Sequence, residues 1–286
     1  MIRVWVEAAR PRTLPAALVP VLAGTAAGGV FAAWRFAGAL VVALALQVAV
    51  NYANDYFDGV RGVDTPDRVG PRRAVASGLV RPSQMKIAIA LALAVAAAAG
   101  LALTAAVGPE LLLVGAASIA AALAYSGGPR PYASAGLGEV FVFVFFGPVA
   151  TIGTAYVQSE AISSLSGWIS IPVGMMAAAI LVVNNLRDVE TDAATGKRTL
   201  AVRLGPRATR RLFAVLALGA IGGALAIALA FGYGFRTAYL VVPLAGAIPV
   251  VARVDRAEGR ELVTALGMTA LVHLVFGAAT AAVLWD

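Results

Sequence analysis

Phe36–Asn54 reads FAGALVVALALQVAVNYAN, a run without one Asp, Glu, Lys or Arg, and it leads directly into Asp55-Tyr-Phe-Asp58. A helix needs about 20 apolar residues, roughly 17–25, to cross the hydrocarbon core of a bilayer. This stretch is long enough to span a membrane and to deliver two carboxylates to its edge. Eight further runs free of charge share its character: Thr13–Trp34, Ile87–Pro109, Leu111–Pro129, Val140–Ser159, Ala161–Leu186, Leu212–Phe235, Thr237–Ala252 and Leu262–Trp285. Of these, Thr237–Ala252 is the weakest, being short and carrying Pro243 and Pro249. The runs are rich in Ala and Leu and too long for tilted barrel strands, and a helix satisfies its backbone internally. The expectation is an all-α polytopic membrane protein, nine transmembrane helices in one domain over residues 1–286.

Composition points the same way. The chain is 60% hydrophobic and 13% charged, where a soluble chain carries roughly 25% charged residues. With no cysteine it is not a disulfide-stapled secreted module, and its apolar content excludes disorder. A net charge of +7 in so hydrophobic a chain points to lipid headgroups or a phosphorylated substrate, not to nucleic acid. The first run exceeds the 7–15 residues of a signal-peptide core, so it is read as a retained helix.

The few charges are sorted. Of 22 Lys and Arg, all but Arg35 and Arg236 fall on the side that holds the N-terminus. By the positive-inside rule that side is cytoplasmic, and the C-terminal Asp286 lies outside. Of 15 acids, all but Glu110, Glu160 and Asp286 share the cationic side. Lipid anchoring explains clustered cations but not acids crowded among them.

Two acidic clusters stand at the ends of two runs: Asn51-Tyr-Ala-Asn54-Asp55-Tyr-Phe-Asp58, and Asn184-Asn-Leu-Arg187-Asp188-Val-Glu-Thr-Asp192. Residues three or four apart share a helix face, so Asn54 aligns with Asp58 and Asp188 with Asp192, with Asn51 and Asn184 one turn deeper. The recurrence, followed each time by a basic loop and another apolar run, hints at an internal duplication. Mg²⁺ takes oxygen ligands and is usually held by one or two carboxylates plus substrate phosphate, so two facing patches suit a metal-bound diphosphate. The plainer reading is that these residues cap helix ends among headgroups. A lone His273 and no Cys argue against zinc, haem or thiol chemistry.

Cations follow each cluster: Arg61, Arg68, Arg72, Arg73 and Arg81 after the first, Lys197, Arg198 and Arg203 after the second. Arg grips phosphate oxygens in a fork and Lys presents a compact charge. Membrane anchoring is the rival role, favoured for Arg207, Arg210, Arg211, Arg253, Arg256 and Arg260. In Tyr125-Ser-Gly-Gly-Pro-Arg130-Pro-Tyr132, Arg130 stands alone among turn-formers, as a positioned ligand group or an anchor. Tyr125 and Glu139 are candidates for orienting a substrate, while His273, mid-run, reads as a packing residue.

With these motifs the chain resembles the UbiA superfamily of intramembrane prenyltransferases. The likeness rests on Arg10-Pro-Arg-Thr-Leu-Pro15, Asn54-Asp-Tyr-Phe-Asp58 with Gly62-Val-Asp64, and Arg130-Pro-Tyr132 with Gly136-Leu-Gly-Glu139. Phe145-Phe-Gly147, Asn184-Asn-Leu-Arg-Asp188 and Gly196-Lys-Arg-Thr-Leu-Ala-Val-Arg-Leu-Gly205 complete it, and the paired Asn points to the naphthoate branch. Gly70–Gly78 matches that pattern only approximately, at Arg72 and Arg73.

The resemblance implies a helical bundle around a central cavity in a bacterial cell membrane, and Mg²⁺ held through a diphosphate. Its metal residues would be Asn54, Asp58, Asp188 and Asp192, with Asp55 and Asp64 in support. It implies transfer of a polyprenyl group from polyprenyl diphosphate to 1,4-dihydroxy-2-naphthoate, with release of diphosphate and CO₂. Asp58, Asp188, Lys197 and Arg130 would carry catalysis, and Arg61, Arg72, Arg73, Tyr125, Asn184 and Asn185 would join Arg130 and Lys197 in binding substrate. A sister enzyme acting on 4-hydroxybenzoate or homogentisate is the near alternative. A secondary transporter is the distant one, disfavoured because helix interiors lack Asp, Glu, Lys and Arg.

Overall fold

The computed structural model describes residues 2–62, 70 and 72–285; Asp64, Arg68 and Asp286 lie outside the described residues. The chain enters as α1 (Ile2–Ala8), a 3₁₀ turn Pro11–Thr13, α2 (Pro15–Gly28) and α3 (Ala33–Val60). Then follow α4 (Pro82–Val107), α5 (Glu110–Ser126), α6 (Gly138–Val144), a π turn Phe145–Val149, and α7 (Ala150–Ser159). The remainder is α8 (Ser164–Arg187), α9 (Val189–Ala194), α10 (Leu200–Ala230), a 3₁₀ turn Gly234–Leu240, α11 (Val241–Arg256) and α12 (Glu261–Leu284).

All nine apolar runs are helical, and among the described residues seven helices are long and apolar enough to cross a membrane by length and composition. These are α3, α4, Gly138–Ser159, α8, α10, Gly234–Arg256 and α12. The run expected to be weakest qualifies, because the 3₁₀ turn Gly234–Leu240 leads directly into α11 and lengthens it, and Pro243 sits in the first turn of α11, where no helical N–H is required. The first and fourth runs form shorter apolar helices. Pro15 and the left-handed Gly29 (φ 68°) bound α2 at 14 residues, and Pro109 and Gly127 bound α5 at 17. The protein is a multi-pass membrane protein.

Lipid tails are as apolar as leucine, so such helices are held by close packing and hydrogen bonds. The main core joins α2, α8, α10, α11 and α12 around Val19, Met176, Phe213, Ile221 and Phe276. Small residues set the close approaches. A Cβ on Gly24 of α2 would lie 2.3 Å from the Thr151 carbonyl oxygen of α7, and one on Gly174 would lie 2.6 Å from the Phe143 carbonyl oxygen. Gly24→Val should therefore destabilise the bundle by about 1–3 kcal/mol, read as a lower unfolding temperature in detergent. The π turn across Pro148 absorbs the hydrogen bond that proline removes.

Two ends differ. At one, Arg35 binds the Val157 carbonyl (3.0 Å) and Glu160 (2.6 Å), while Gln158 accepts from the Ala32 N–H (2.8 Å). Glu110 accepts from the Tyr156 hydroxyl at that same end. These contacts close the bundle there. At the other end the loops after α3, α5 and α8 meet. The pairs α3–α4 and α8–α10, each a polar-ended helix followed by a basic loop and another helix, make the most extensive contacts in the fold.

Candidate active site

A cavity of about 260 Å³ runs inward from the loop-bearing end. Its deep walls are apolar, from Val21, Leu103, Val114, Phe145, Val149 and Val157 among others. Its polar lining is Arg10, Thr13, Gln47, Asn51, Asn54, Tyr125 and Asn184, with Asn54 nearest the mouth. The faces inferred from helical spacing thus converge: Asn51 and Asn54 come from α3, and Asn184 from α8.

At the mouth the two acidic clusters meet across Lys197. Lys197 Nζ donates to Asp58 Oδ2 at 2.8 Å and lies 3.9 Å from Asp192 Oδ1. Arg73 Nη2 is 3.7 Å from the same Asp58 oxygen and 3.4 Å from Asn54 Oδ1. On the other strut, Arg187 grips Asp188 in a fork (2.7 and 2.6 Å) and reaches Asn184 Oδ1 at 3.0 Å. Asp188 ends α8, yet the Asp192 N–H still donates to the Asp188 carbonyl (2.8 Å), so one turn links the two acids across the break into α9. The Lys197 loop is fixed by its own N–H to the Asp192 carbonyl (2.9 Å) and by the Arg198 N–H to the Ser134 carbonyl (3.0 Å).

Several expected site residues are placed elsewhere. Asp55 is 1% exposed, and its two oxygens accept from the backbone N–H groups of Ala74 and Val75 at 2.9 and 2.8 Å. One residue past Asn54, it projects about 100° round the helix, so it holds the Arg73 loop instead of joining the expected metal residues. Asp55→Ala should free that loop and weaken binding of the anionic substrate without moving the metal requirement, which a metal titration of turnover would read.

Arg61 donates to the Ser126 and Gly128 carbonyls (2.8 and 2.6 Å), tying α3 to the loop after α5, which occupies the guanidinium expected to bind substrate. Asn185 turns away from the cavity and donates to Glu139 Oε1 at 2.9 Å, so only Asn184 of the pair faces it. Arg72 and Arg130 are exposed at the rim and make no hydrogen bond or ion pair among the described residues. Tyr125 lines the cavity and packs edge-on against Tyr132 (5.4 Å), which stacks on Phe141 at 3.9 Å. Burial pushes the Tyr132 phenol above its ordinary pKa, so it stays protonated and donates to the Ala121 carbonyl (2.8 Å). Arg187 and Tyr132 are the structural partners that sequence spacing missed; the i, i+3 relation of Asn184 and Arg187 was the available signal for the first.

The donor set decides what metal chemistry fits. Among the described residues, no three His, Cys, Asp or Glu groups gather closely enough to form a protein-only metal nest. Asn54, Asp58, Asp188 and Asp192 are hard oxygen donors spread over two struts, each interleaved with cations. That arrangement suits Mg²⁺ only when substrate phosphate supplies the remaining oxygens.

The UbiA prenyltransferase family profile matches residues 17–271. A 1,4-dihydroxy-2-naphthoate octaprenyltransferase of Mycobacterium tuberculosis is 46% identical over 284 residues, covering 98% of this chain and 96% of the relative. Two solved structures share the fold. A UbiA homolog from Aeropyrum pernix K1 gives a TM-score of 0.73 at 20% identity, covering 93% of this chain and 96% of the other. A UbiA homolog from Archaeoglobus fulgidus bound to GPP and Mg²⁺ gives 0.66 at 16% identity, covering 97% and 99%. Matched by the family profile over most of its length, and by so similar a relative from end to end, the chain belongs to the UbiA prenyltransferase family.

Proposed function

We propose that the protein transfers a polyprenyl group from polyprenyl diphosphate to 1,4-dihydroxy-2-naphthoate, releasing diphosphate and CO₂ and leaving a demethylmenaquinol. One observation carries this reading: two acidic helix ends, bridged by Lys197 and with Arg73 beside Asp58, meet at the mouth of a largely apolar cavity. The M. tuberculosis relative, named for this acceptor and matching the chain along its length, supports the same choice.

The chemistry follows from that arrangement. Asn54, Asp58, Asp188 and Asp192 would hold Mg²⁺ together with the diphosphate, and the metal would supply Lewis-acid stabilisation of the leaving group. Lys197 and Arg73 add fixed positive charge where negative charge builds as the allylic carbon–oxygen bond breaks and its electron pair departs with diphosphate. Rim cations Arg130 and Arg72 draw the anionic donor to the mouth. The aromatic faces of Tyr132, Phe141 and Phe145 line the wall beside the developing allylic cation, and the apolar cavity excludes the water that would trap it. The acceptor must already be in contact, which pre-organisation in one cavity provides. Its carboxylate-bearing ring carbon forms the new carbon–carbon bond, and the electrons of the broken carboxylate bond restore the aromatic ring as CO₂ leaves. No external base or oxidant is needed.

In this reading residues 1–286 form one transmembrane domain in a bacterial cell membrane, the mouth and N-terminus cytoplasmic and the C-terminus outside, with the prenyl tail against lipid. Purified protein with Mg²⁺ and a polyprenyl diphosphate should prenylate dihydroxynaphthoate far faster than 4-hydroxybenzoate or homogentisate. Faster turnover of either monocyclic acid would overturn the acceptor assignment.

A further inference from the structure

Among the described residues that line the cavity, Arg10 is the one charged side chain. Its backbone is left-handed (φ 53°, ψ 71°), a conformation that residues other than glycine rarely adopt and that persists only where the surroundings enforce it. The enforcement is visible. Thr13 donates to the Arg10 carbonyl through both its N–H and its hydroxyl (2.9 Å each). From α3, Asn51 donates to the Ala9 carbonyl (2.8 Å) and to Thr13 Oγ1 (3.1 Å), and Gln47 also donates to Thr13 Oγ1 (3.2 Å). Two buried amides of a spanning helix are thus spent on fixing one turn, and the result is a guanidinium in the cavity wall.

The turn that carries this guanidinium lies inward of the diphosphate cluster. Asn51 and Gln47, which hold its turn, stand two and three helical turns inward of Asp58 on α3, about 10 and 16 Å along the axis. The charges also sort by demand. A diphosphate carries several negative charges, and it meets Lys197, Arg73 and a divalent ion at the rim. Among the described residues the cavity lining offers a single cation and no acid, which matches a ligand with one negative charge. The facing wall is aromatic, with Tyr125, Tyr132 and Phe141, and suits a flat ring.

We propose that Arg10 binds the carboxylate of the aromatic acceptor, and that the Thr13–Gln47–Asn51 hydrogen bonds exist to hold it there. The inference rests on the proposed prenyl transfer to an aromatic acid. A guanidinium fork matches a carboxylate with two parallel hydrogen bonds, and in an apolar wall that pair selects a carboxylated ring over one lacking the group. Arg10 thereby turns the carboxylate-bearing carbon toward the donor.

The test compares Arg10→Gln and Arg10→Lys with wild type in detergent-purified full-length protein. It measures KM for dihydroxynaphthoate, KM for the prenyl diphosphate, and the inhibition constant of 1,4-dihydroxynaphthalene, which has the same ring and no carboxylate. Arg10→Gln should raise KM for dihydroxynaphthoate about a hundred-fold, and Arg10→Lys about ten-fold, with the other two constants unchanged. A general loosening of the cavity would weaken the uncharged ring equally, and that result overturns the assignment. So does a rise confined to KM for the prenyl diphosphate, which would place Arg10 on the leaving group. If Arg10→Gln does not insert, Arg10→Lys carries the same comparison. Wild type that fails to prenylate dihydroxynaphthoate would instead overturn the proposed function itself.

Discussion

Asp58→Ala should lower turnover by about a thousand-fold while the protein remains inserted and folded. Asp58 is where the two halves of the site touch: Lys197 of the second loop and Arg73 of the first both address its Oδ2, at 2.8 and 3.7 Å. Removing it deletes a hard oxygen donor and leaves two cations without their shared counter-charge. Those cations lie at the cavity mouth, where incoming phosphate oxygens can pair with them, so binding of the prenyl diphosphate should survive better than turnover. The separation is measurable by comparing donor affinity with single-turnover rate. Wild-type turnover by Asp58→Ala would defeat the metal–diphosphate account.

Arg187→Ala should be the most destabilising single change at the site, by about 3–5 kcal/mol, because it removes the guanidinium fork from a buried carboxylate. The pair is almost sealed, with side-chain exposures of 3% and 4% at a contact of 2.6 Å. The fork also orients Asp188 and Asn184 together, so activity should fall with stability. A double substitution separates the effects. Replacing a buried ion pair by apolar residues of similar volume is often neutral for stability. Arg187→Met with Asp188→Leu should therefore regain much of the thermal stability lost in the single variant and remain inactive. Recovery of activity with stability would show that Asp188 serves only the fold.

Much of this was legible in the sequence for physical reasons. A bilayer imposes long charge-free runs, so the helices and the sorting of charges to one end follow from counting. That Asn54 and Asn184 would face one cavity, and that Asp58 and Asp192 would flank one cation, was readable from helical periodicity and the family likeness. What stayed hidden was the direction of individual side chains. Asp55 and Asn185 adjoin site residues in the chain, but successive positions on a helix point about 100° apart, and each serves a loop or a neighbouring helix instead. Helix length at α2 and α5 was not legible either, because Pro15, Gly29, Pro109 and Gly127 bound helices shorter than the apolar runs that hold them. Arg10 was quoted within a motif, but its left-handed backbone arises from contacts with Asn51 and Gln47, far away in the chain.

The most direct measurement follows the carboxylate. Purified wild-type protein would be given Mg²⁺, a polyprenyl diphosphate and dihydroxynaphthoate labelled in its carboxyl carbon, with labelled CO₂, diphosphate and prenylated product counted together. The account predicts equal amounts of all three, with none formed when Mg²⁺ is chelated or the prenyl donor is left out. Diphosphate release with the label retained in the product, or movement of substrate across a proteoliposome with no covalent product, would contradict it.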